Sequence, residues 1–133
     1  MKETLKPGLT TRKTLTVDDS RVISFMGEDC RVYATPRIIS DVEYTCRDFL
    51  LQHLDPGEDS VGTRVNWEHV GPALVGESVT VSVKLVQVEG RRVTFEASVA
   101  AGADAVARGT HERFVVDVQK VRDRLLKRKA KAG

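Results

Sequence analysis

The feature that most constrains this fold is one long amphipathic helix in the first half of the chain. Thr35-Pro36 predicts where it begins, with Thr35 as the N-cap and Pro36 at the first helical position. The helix is predicted to run to about residue 54, where the sequence DPGED supplies turn chemistry. One face is apolar at helical spacing, and it consists of Ile38, Val42, Cys46, Phe49 and His53. A face this wide must be covered by a large apolar surface.

Patterns typical of β-strands account for most of the remaining chain. Residues 8–17 are rich in Thr, which suits an edge strand, and residues 61–69 alternate in character to give one mostly apolar face. A hairpin with its turn at residues 89–92 follows, and a last strand covers about residues 105–118. Because the connections are too short for parallel crossovers, we predict an antiparallel sheet in an α+β domain. This sheet is expected to wrap around the helix.

The composition is that of one ordinary globular domain with an uneven distribution of charge. The chain has 133 residues, of which 41% are hydrophobic and 30% are charged. Residues 120–133 hold seven Lys/Arg and one Asp, so we predict a body at residues 1–119 followed by a basic C-terminal helix or tail. That tail contains no aromatic residue, which favours a solvated helix end over a nucleic-acid interface.

Several classes of protein are disfavoured by what the sequence lacks. No apolar run reaches the roughly 20 residues that span a bilayer, and the polar opening has no signal-peptide core. We therefore expect a cytoplasmic protein with no membrane partner. Cys30 and Cys46 lack the spacing of a disulfide framework or a zinc site, which predicts free thiols and no bound metal.

Six short motifs follow one another at characteristic spacing within residues 31–118. They are VYATP, Glu43 eight residues after Thr35, LDPGEDSVGT, His69 seven residues after Gly62, VEGRR and GTHER. In this order they resemble the fluoroacetyl-CoA thioesterase family of hotdog enzymes. The resemblance implies a hotdog fold, in which an antiparallel sheet wraps around one long central helix. It also implies an enzyme that hydrolyses acyl-CoA thioesters.

The resemblance implies a catalytic trio of Thr35, Glu43 and His69. Thioester hydrolysis needs a nucleophile or general base, a proton donor for the leaving thiolate and donors for the oxyanion. Glu43 could attack the carbonyl or deprotonate water, and the sequence leaves both routes open. His69 would shuttle protons. Thr35 could be a hydrogen-bonding orienter or a nucleophile activated by the other two residues, and we favour the orienter. A structural alternative pairs Glu43 with Arg47 at i,i+4.

Substrate binding is assigned to three further residues, and the site is expected to need two chains. By resemblance Gly62 and Arg113 contact the substrate, and Tyr33 is a candidate for the pocket wall. CoA is part of the acyl-CoA substrate, so no separate cofactor is expected. Thr35 and Glu43 would lie about 12 Å apart along a regular helix, which is too far for one compact trio. We therefore predict a homodimer with the site at its interface.

The chain departs from the family pattern in two places, and two other functions stay open. Pro36 stands where the family has Gly, which removes a backbone N–H near the site. Residues 22–35 are shorter than in the fluoroacetyl-specific enzyme and lack its Phe-bearing lid, so Phe25 and Tyr33 are the candidate wall residues. Weak preference for fluoroacetyl-CoA is expected as a result. The alternatives are a non-catalytic acyl-CoA-binding protein and a hotdog enoyl-CoA hydratase.

Overall fold

The computed structural model describes residues 1–132, which form seven strands and two α-helices. The strands are β1 (Thr10–Thr16), β2 (Val22–Ile23), β3 (Val32–Tyr33), β4 (Glu58–His69), β5 (Ser78–Glu89), β6 (Arg92–Ala101) and β7 (Asp104–Asp117). The helices are α1 (Thr35–Leu51), between β3 and β4, and α2 (Val118–Ala132), which follows β7.

Five of the strands form one antiparallel sheet in the order β1-β5-β6-β7-β4. The hairpin turn predicted at residues 89–92 joins β5 to β6, and β1 is an edge strand as predicted. Strand β4 forms the other edge. The two short strands β2 and β3 pair with each other and lie before α1.

The core lies between α1 and the inward face of the five-stranded sheet. Four of the five predicted helix residues, Ile38, Val42, Cys46 and Phe49, join one buried cluster with alternating residues of β5, such as Val79 and Val81. This alternation is what a sheet with one buried face requires. The α+β prediction and the wrapping of the sheet around a central helix are confirmed.

The ends of α1 differ from the prediction. The N-cap is Ala34, which makes no side-chain capping bond, and Thr35 is the first helical residue. The hydroxyl of Thr35 is used instead in a contact with a distant strand, described below. The helix ends at Leu51 rather than near residue 54, and the backbone turns from Gln52 to Leu54. His53 is therefore only half-buried, and its ring meets Phe49 edge-on.

Strand β4 contains a β-bulge that changes which side chains face α1. In the register with β7, Gly62 pairs with Arg113 and Arg64 pairs with Glu112, so Thr63 is an extra residue. Before the bulge, Ser60 and Gly62 face the helix; after it, Val65 and His69 do. The single apolar face predicted for residues 61–69 is therefore wrong, because the bulge turns Val61 and Thr63 to the outer side of the sheet.

Helix α2 projects from the end of β7 and carries the basic residues of the C-terminus. None of its residues is buried, and Leu125 and Leu126 are exposed. It begins at Val118, two residues before the basic segment predicted at 120–133.

Candidate active site

Glu43 lies on α1 opposite strand β7, where it meets a buried cation. The Oε1 atom of Glu43 is 3.3 Å from Nη1 of Arg113. The Arg113 side chain is 4% exposed, while that of Glu43 is 41% exposed. Arg47 instead binds Asp59, at 3.1 and 2.6 Å, so the alternative pairing of Glu43 with Arg47 does not occur. The carboxylate therefore faces solvent on one side and a fixed guanidinium on the other.

Strand β4 orients the guanidinium of Arg113. Its Nε donates to the hydroxyl of Ser60 at 2.7 Å, and its Nη2 donates to the carbonyl of Ser60 at 2.8 Å. Burial lowers the pKa of Arg113, while the nearby Glu43 carboxylate acts in the opposite direction. Since an arginine stays charged in proteins, these fixed donors leave Nη1 directed at Glu43.

His111 completes the surroundings of Arg113. It lies two residues earlier on β7 and is 1% exposed. Its Nδ1 is 2.8 Å from the carbonyl oxygen of Arg64, so Nδ1 carries the proton and donates it. Its Nε2 then accepts from Nη1 of Arg113 at 3.2 Å. Burial lowers the pKa of His111, which fits the neutral ring that this arrangement requires.

Gly62 allows the backbone of β4 to approach Glu43 closely. A Cβ atom at Gly62 would lie 2.6 Å from Oε1 of Glu43 and 3.2 Å from Cε1 of His111. Any larger residue would therefore displace the carboxylate. Gly62, Ser60, Glu43 and Arg113 line one hollow of about 620 Å³ at the edge of the sheet.

Thr35 and His69 form a second group. The hydroxyl of Thr35 is 2.7 Å from Nδ1 of His69, which ends strand β4 and is exposed. This contact is possible because the bulge turns His69 toward the helix side of the sheet. It leaves Nε2 of His69 without a hydrogen bond to any of residues 1–132 and directed away from Thr35.

The two groups do not meet within one chain. Among residues 1–132, no hydrogen bond joins Glu43 to either Thr35 or His69. Gly62 and His69 are seven residues apart on β4, about 23 Å in an extended strand. All three residues were predicted to form one trio, and one chain brings only Thr35 and His69 together.

Tyr33 is buried below the start of α1 rather than exposed in the hollow. It is 1% exposed, and its hydroxyl donates to Asp41 of α1. Arg21 binds the same carboxylate through Nε at 2.8 Å and Nη2 at 3.1 Å. Burial, and then the hydrogen bond to Asp41, raise the pKa of Tyr33. These contacts support the first turns of α1, while the role of Tyr33 in substrate binding stays a prediction.

Ser60 and His111 were not among the site residues predicted from the sequence. Both lie two residues from a predicted site residue, Ser60 before Gly62 and His111 before Arg113. Because residues two apart on a strand share a face, the period of the strand would have indicated both.

Neither a metal site nor a disulfide is found in the part of the chain that the structure describes. No group of three or more His, Cys, Asp or Glu side chains within residues 1–132 is placed to hold a metal ion. Cys30 and Cys46 are free thiols, as predicted, and burial raises the pKa of Cys46 to about 12. No helix within this range is long and apolar enough to cross a membrane.

Comparison with known proteins gives consistent matches in sequence and in structure. The model of the family described as fluoroacetyl-CoA-specific thioesterase matches residues 17–119. The fluoroacetyl-CoA thioesterase of Streptantibioticus cattleyicolor is 37% identical over 89 residues, which is 67% of this chain. The match spans 64% of that curated relative's length.

Solved structures agree with these matches. A fluoroacetyl-CoA thioesterase superimposes with a TM-score of 0.85 at 28% identity, covering 94% of this chain and 98% of that one. A mutant of such an enzyme in complex with fluoroacetate and CoA gives a TM-score of 0.80 at 29% identity, covering 88% and 99%. The predicted hotdog fold is confirmed. From the extent of the family match and the agreement in fold, we conclude that this chain belongs to the fluoroacetyl-CoA-specific thioesterase family.

Proposed function

We propose that this protein is an enzyme that hydrolyses acyl-CoA thioesters to a free acid and CoA. The observation that carries this proposal is the carboxylate of Glu43, which faces a hollow of about 620 Å³ while buried Arg113 holds its other side. A reactive carboxylate needs both access to the substrate and a fixed orientation. The names of the relatives, and the solved complex with fluoroacetate and CoA, support a CoA thioester as substrate.

Two chemical routes are compatible with this placement. In the first, Glu43 takes a proton from water, and the hydroxide adds to the thioester carbonyl. In the second, the carboxylate itself adds, and water later hydrolyses the anhydride. In both, the carbon–sulfur bond breaks when the tetrahedral intermediate collapses, and His69 protonates the thiolate of CoA. The hydroxyl of Thr35 orients the ring of His69 for this transfer.

The complete site is proposed to form in a homodimer. Strand β4 is an edge strand whose residues 61–69 are mostly exposed, so it has unpaired backbone groups available to a second copy. Because Thr63 is an extra residue, antiparallel pairing of two β4 strands about a point near Val65 would place His69 of one protomer opposite Ser60 of its partner, which faces the same side of the sheet. Glu43 of that partner lies against the neighbouring Gly62. Each of two sites would then combine Thr35 and His69 of one protomer with Glu43 of the other.

The other functions considered differ from this one in chemistry. A non-catalytic acyl-CoA-binding protein would bind the same ligand and release no thiol. An enoyl-CoA hydratase would add water to a double bond and leave the thioester intact. We also propose that the protein acts in the cytoplasm, because free Cys30 and Cys46 suit a reducing compartment.

The proposal is tested by incubating the protein with short, branched and aromatic acyl-CoAs and measuring free thiol. We expect release of CoA that Glu43→Gln and His69→Ala each slow by at least about 10²-fold in kcat, the lower range for acid–base catalysis. Glu96→Gln is the matched control, since Glu96 is exposed on β6 outside the hollow. Unchanged turnover in both folded site variants would contradict the assignment.

A further inference from the structure

Trp67 lies on the same face of β4 as His69, two residues before it. After the bulge at Thr63, every second residue of β4 faces α1, which places Trp67 and His69 side by side. Trp67 is partly buried against the hydrophobic core, and it is the only tryptophan in the sequence. The hydrogen bond between Thr35 and His69 does not involve this indole, which leaves its role in the site to be explained.

A glycine makes room for the indole on the neighbouring strand. Trp67 pairs with Gly109 of β7. A Cβ atom at Gly109 would lie 2.8 Å from Cε3 of Trp67, so the ring occupies the space that a side chain at Gly109 would need. An aromatic side chain that covers a cross-strand glycine packs closely on the sheet. The indole is therefore held down on the sheet beside His69.

A second glycine would meet Trp67 in the proposed homodimer. The proposed pairing places His69 opposite the partner's Ser60. Two residues back along the strand, the same register places Trp67 opposite the partner's Gly62, about 4.5 to 5.5 Å away. Glu43 of that partner lies against the same glycine, where an added Cβ would be 2.6 Å from its Oε1. The indole would thus lie beneath the space between His69 and the partner's Glu43.

The proposed reaction takes place in this space. Because Glu43 acts at the thioester carbonyl and His69 protonates the sulfur, the thioester and the first carbon of the acyl group must lie over Trp67. We propose that Trp67 forms the floor of the acyl pocket and determines specificity by limiting bulk on the carbon next to the carbonyl. The substrates would then be acyl-CoAs that are unbranched at that carbon. This inference rests on the acyl-CoA hydrolysis and the homodimer proposed above.

Acyl groups with bulk further from the carbonyl remain compatible with this floor. A branch or a ring that begins one carbon later extends past the indole. The selectivity is therefore for the position of the branch and not for the overall size of the acyl group. Butyryl and isobutyryl groups contain the same atoms and differ only in this branch, so a comparison of the two separates branching from size.

The test compares kcat/KM for butyryl-CoA and isobutyryl-CoA by the release of free thiol. In the wild type we expect a preference for butyryl-CoA of at least about tenfold, which is the discrimination that one methyl group can give in a pocket. Trp67→Val opens the floor and should bring the ratio close to one, while Trp67→Phe should give an intermediate ratio. Phe114→Val is the matched control, because Phe114 lies on the outer side of the sheet, and it should keep the wild-type ratio.

Light scattering and a thermal melt check that each variant keeps the fold and the dimer. An unchanged ratio in folded, dimeric Trp67→Val would overturn the inference, and so would a wild type that hydrolyses both isomers equally well or that is active as a monomer. If Trp67→Val does not fold, Trp67→Phe decides in its place: a lower ratio supports the floor, and the wild-type ratio contradicts it.

Fluorescence of the single tryptophan separates this inference from the proposed reaction. Butyryl-CoA is titrated into Glu43→Gln, where binding can be followed without hydrolysis, and free tryptophan with the same ligand corrects for absorption. We expect a change in emission that follows the binding curve from calorimetry. If the wild type releases no thiol but this change occurs, the position of Trp67 stands and the hydrolase proposal fails. Binding without a change in emission would show that Trp67 is not the floor, and no binding at all would contradict both proposals.

Discussion

The hydroxyl of Thr35 lies 2.7 Å from Nδ1 of His69, seven residues along β4 from the contact of Gly62 with Glu43. This hydrogen bond holds the orientation of the imidazole and leaves its other ring nitrogen, Nε2, for reaction. Thr35 is the first residue of α1, and its position depends on where the helix begins. The start of the helix is therefore part of the proposed catalytic apparatus.

Removal of the Thr35 hydroxyl should slow the reaction by a moderate factor. We expect Thr35→Val to lower kcat about tenfold, the effect of losing one hydrogen bond of about 1 to 1.5 kcal/mol. Thr35→Ser keeps the hydroxyl and should stay close to the wild type. Steady-state kinetics of both variants check this. A loss with Thr35→Val as large as that with His69→Ala would indicate a direct chemical role for Thr35.

Two inactive variants should restore activity when they are combined. If each site takes Glu43 from one protomer and His69 from the other, a mixed dimer of Glu43→Gln and His69→Ala contains one intact site. Statistical mixing gives half mixed dimers, so about a quarter of the wild-type activity is expected. The subunits are exchanged under mild denaturant and assayed, with each variant alone as control. Persistent inactivity of confirmed mixed dimers would place the whole site within one chain.

An added methyl group at Gly62 should impair catalysis without unfolding the protein. The Cβ of Gly62→Ala would lie 2.6 Å from Oε1 of Glu43, so the carboxylate must move away from Arg113. We expect kcat/KM to fall by at least about tenfold, because even a small displacement of a catalytic group slows the reaction strongly. A thermal melt checks the fold. Full activity in Gly62→Ala would show that this contact does not position Glu43.

Acid should destabilise the protein partly through His111. Burial lowers the pKa of His111 in the fold, so below the ordinary pKa of about 6.5 the unfolded chain binds more protons at this position than the folded chain does. Its contribution to stability is thus present above that pH and is lost as the pH falls through the folded value. Protonated His111 would also point an N–H at Arg113, while the carboxylates of Glu43 and Glu112 act in the opposite direction.

Urea unfolding of the wild type and of His111→Gln between pH 7.5 and pH 5 measures this contribution. The free energy of unfolding should fall more steeply with acid in the wild type than in the variant. The exposed His69 and half-buried His53 are present in both proteins and cancel in the comparison. Equal slopes would mean that His111 does not titrate in this range.

The short segment before α1 should allow acyl groups larger than fluoroacetyl. Phe25 is 85% exposed and, within residues 1–132, has no apolar surface covering it, whereas Tyr33 is fully buried. A pocket with an open wall discriminates poorly between acyl groups of different size. Small apolar differences between substrates contribute only about 1 to 3 kcal/mol to specificity. Competition assays with fluoroacetyl-, acetyl- and branched or aromatic acyl-CoAs should favour the larger groups. A large preference for fluoroacetyl-CoA over acetyl-CoA would contradict this expectation.

The order of helix and strands could be predicted because it follows from periodicity, which each segment carries in its own sequence. The helix cap could not, since the hydroxyl of Thr35 bonds with a residue 34 positions away rather than with its own helix. The β-bulge at Thr63 was missed for a similar reason: an extra residue in one strand is defined only by the register of its neighbour. The pairing of Glu43 with Arg113 joins residues 70 apart and was not predicted, although the resemblance had assigned both residues to the site.

The extra residue Thr63 determines which side chains of β4 share a face. Gly62 and His69 are an odd number of residues apart, so in a regular strand their side chains would point to opposite faces. The extra residue restores them to one face. Deletion of Thr63 alone would leave Gly62 and His69 six residues apart, so a regular strand with the present pairing to β7 would keep both on the face of α1. In a comparison of relatives, a one-residue gap at this point would therefore mark loss of the bulge with the site retained, whereas one more residue in an otherwise unchanged strand would turn His69 away from Thr35.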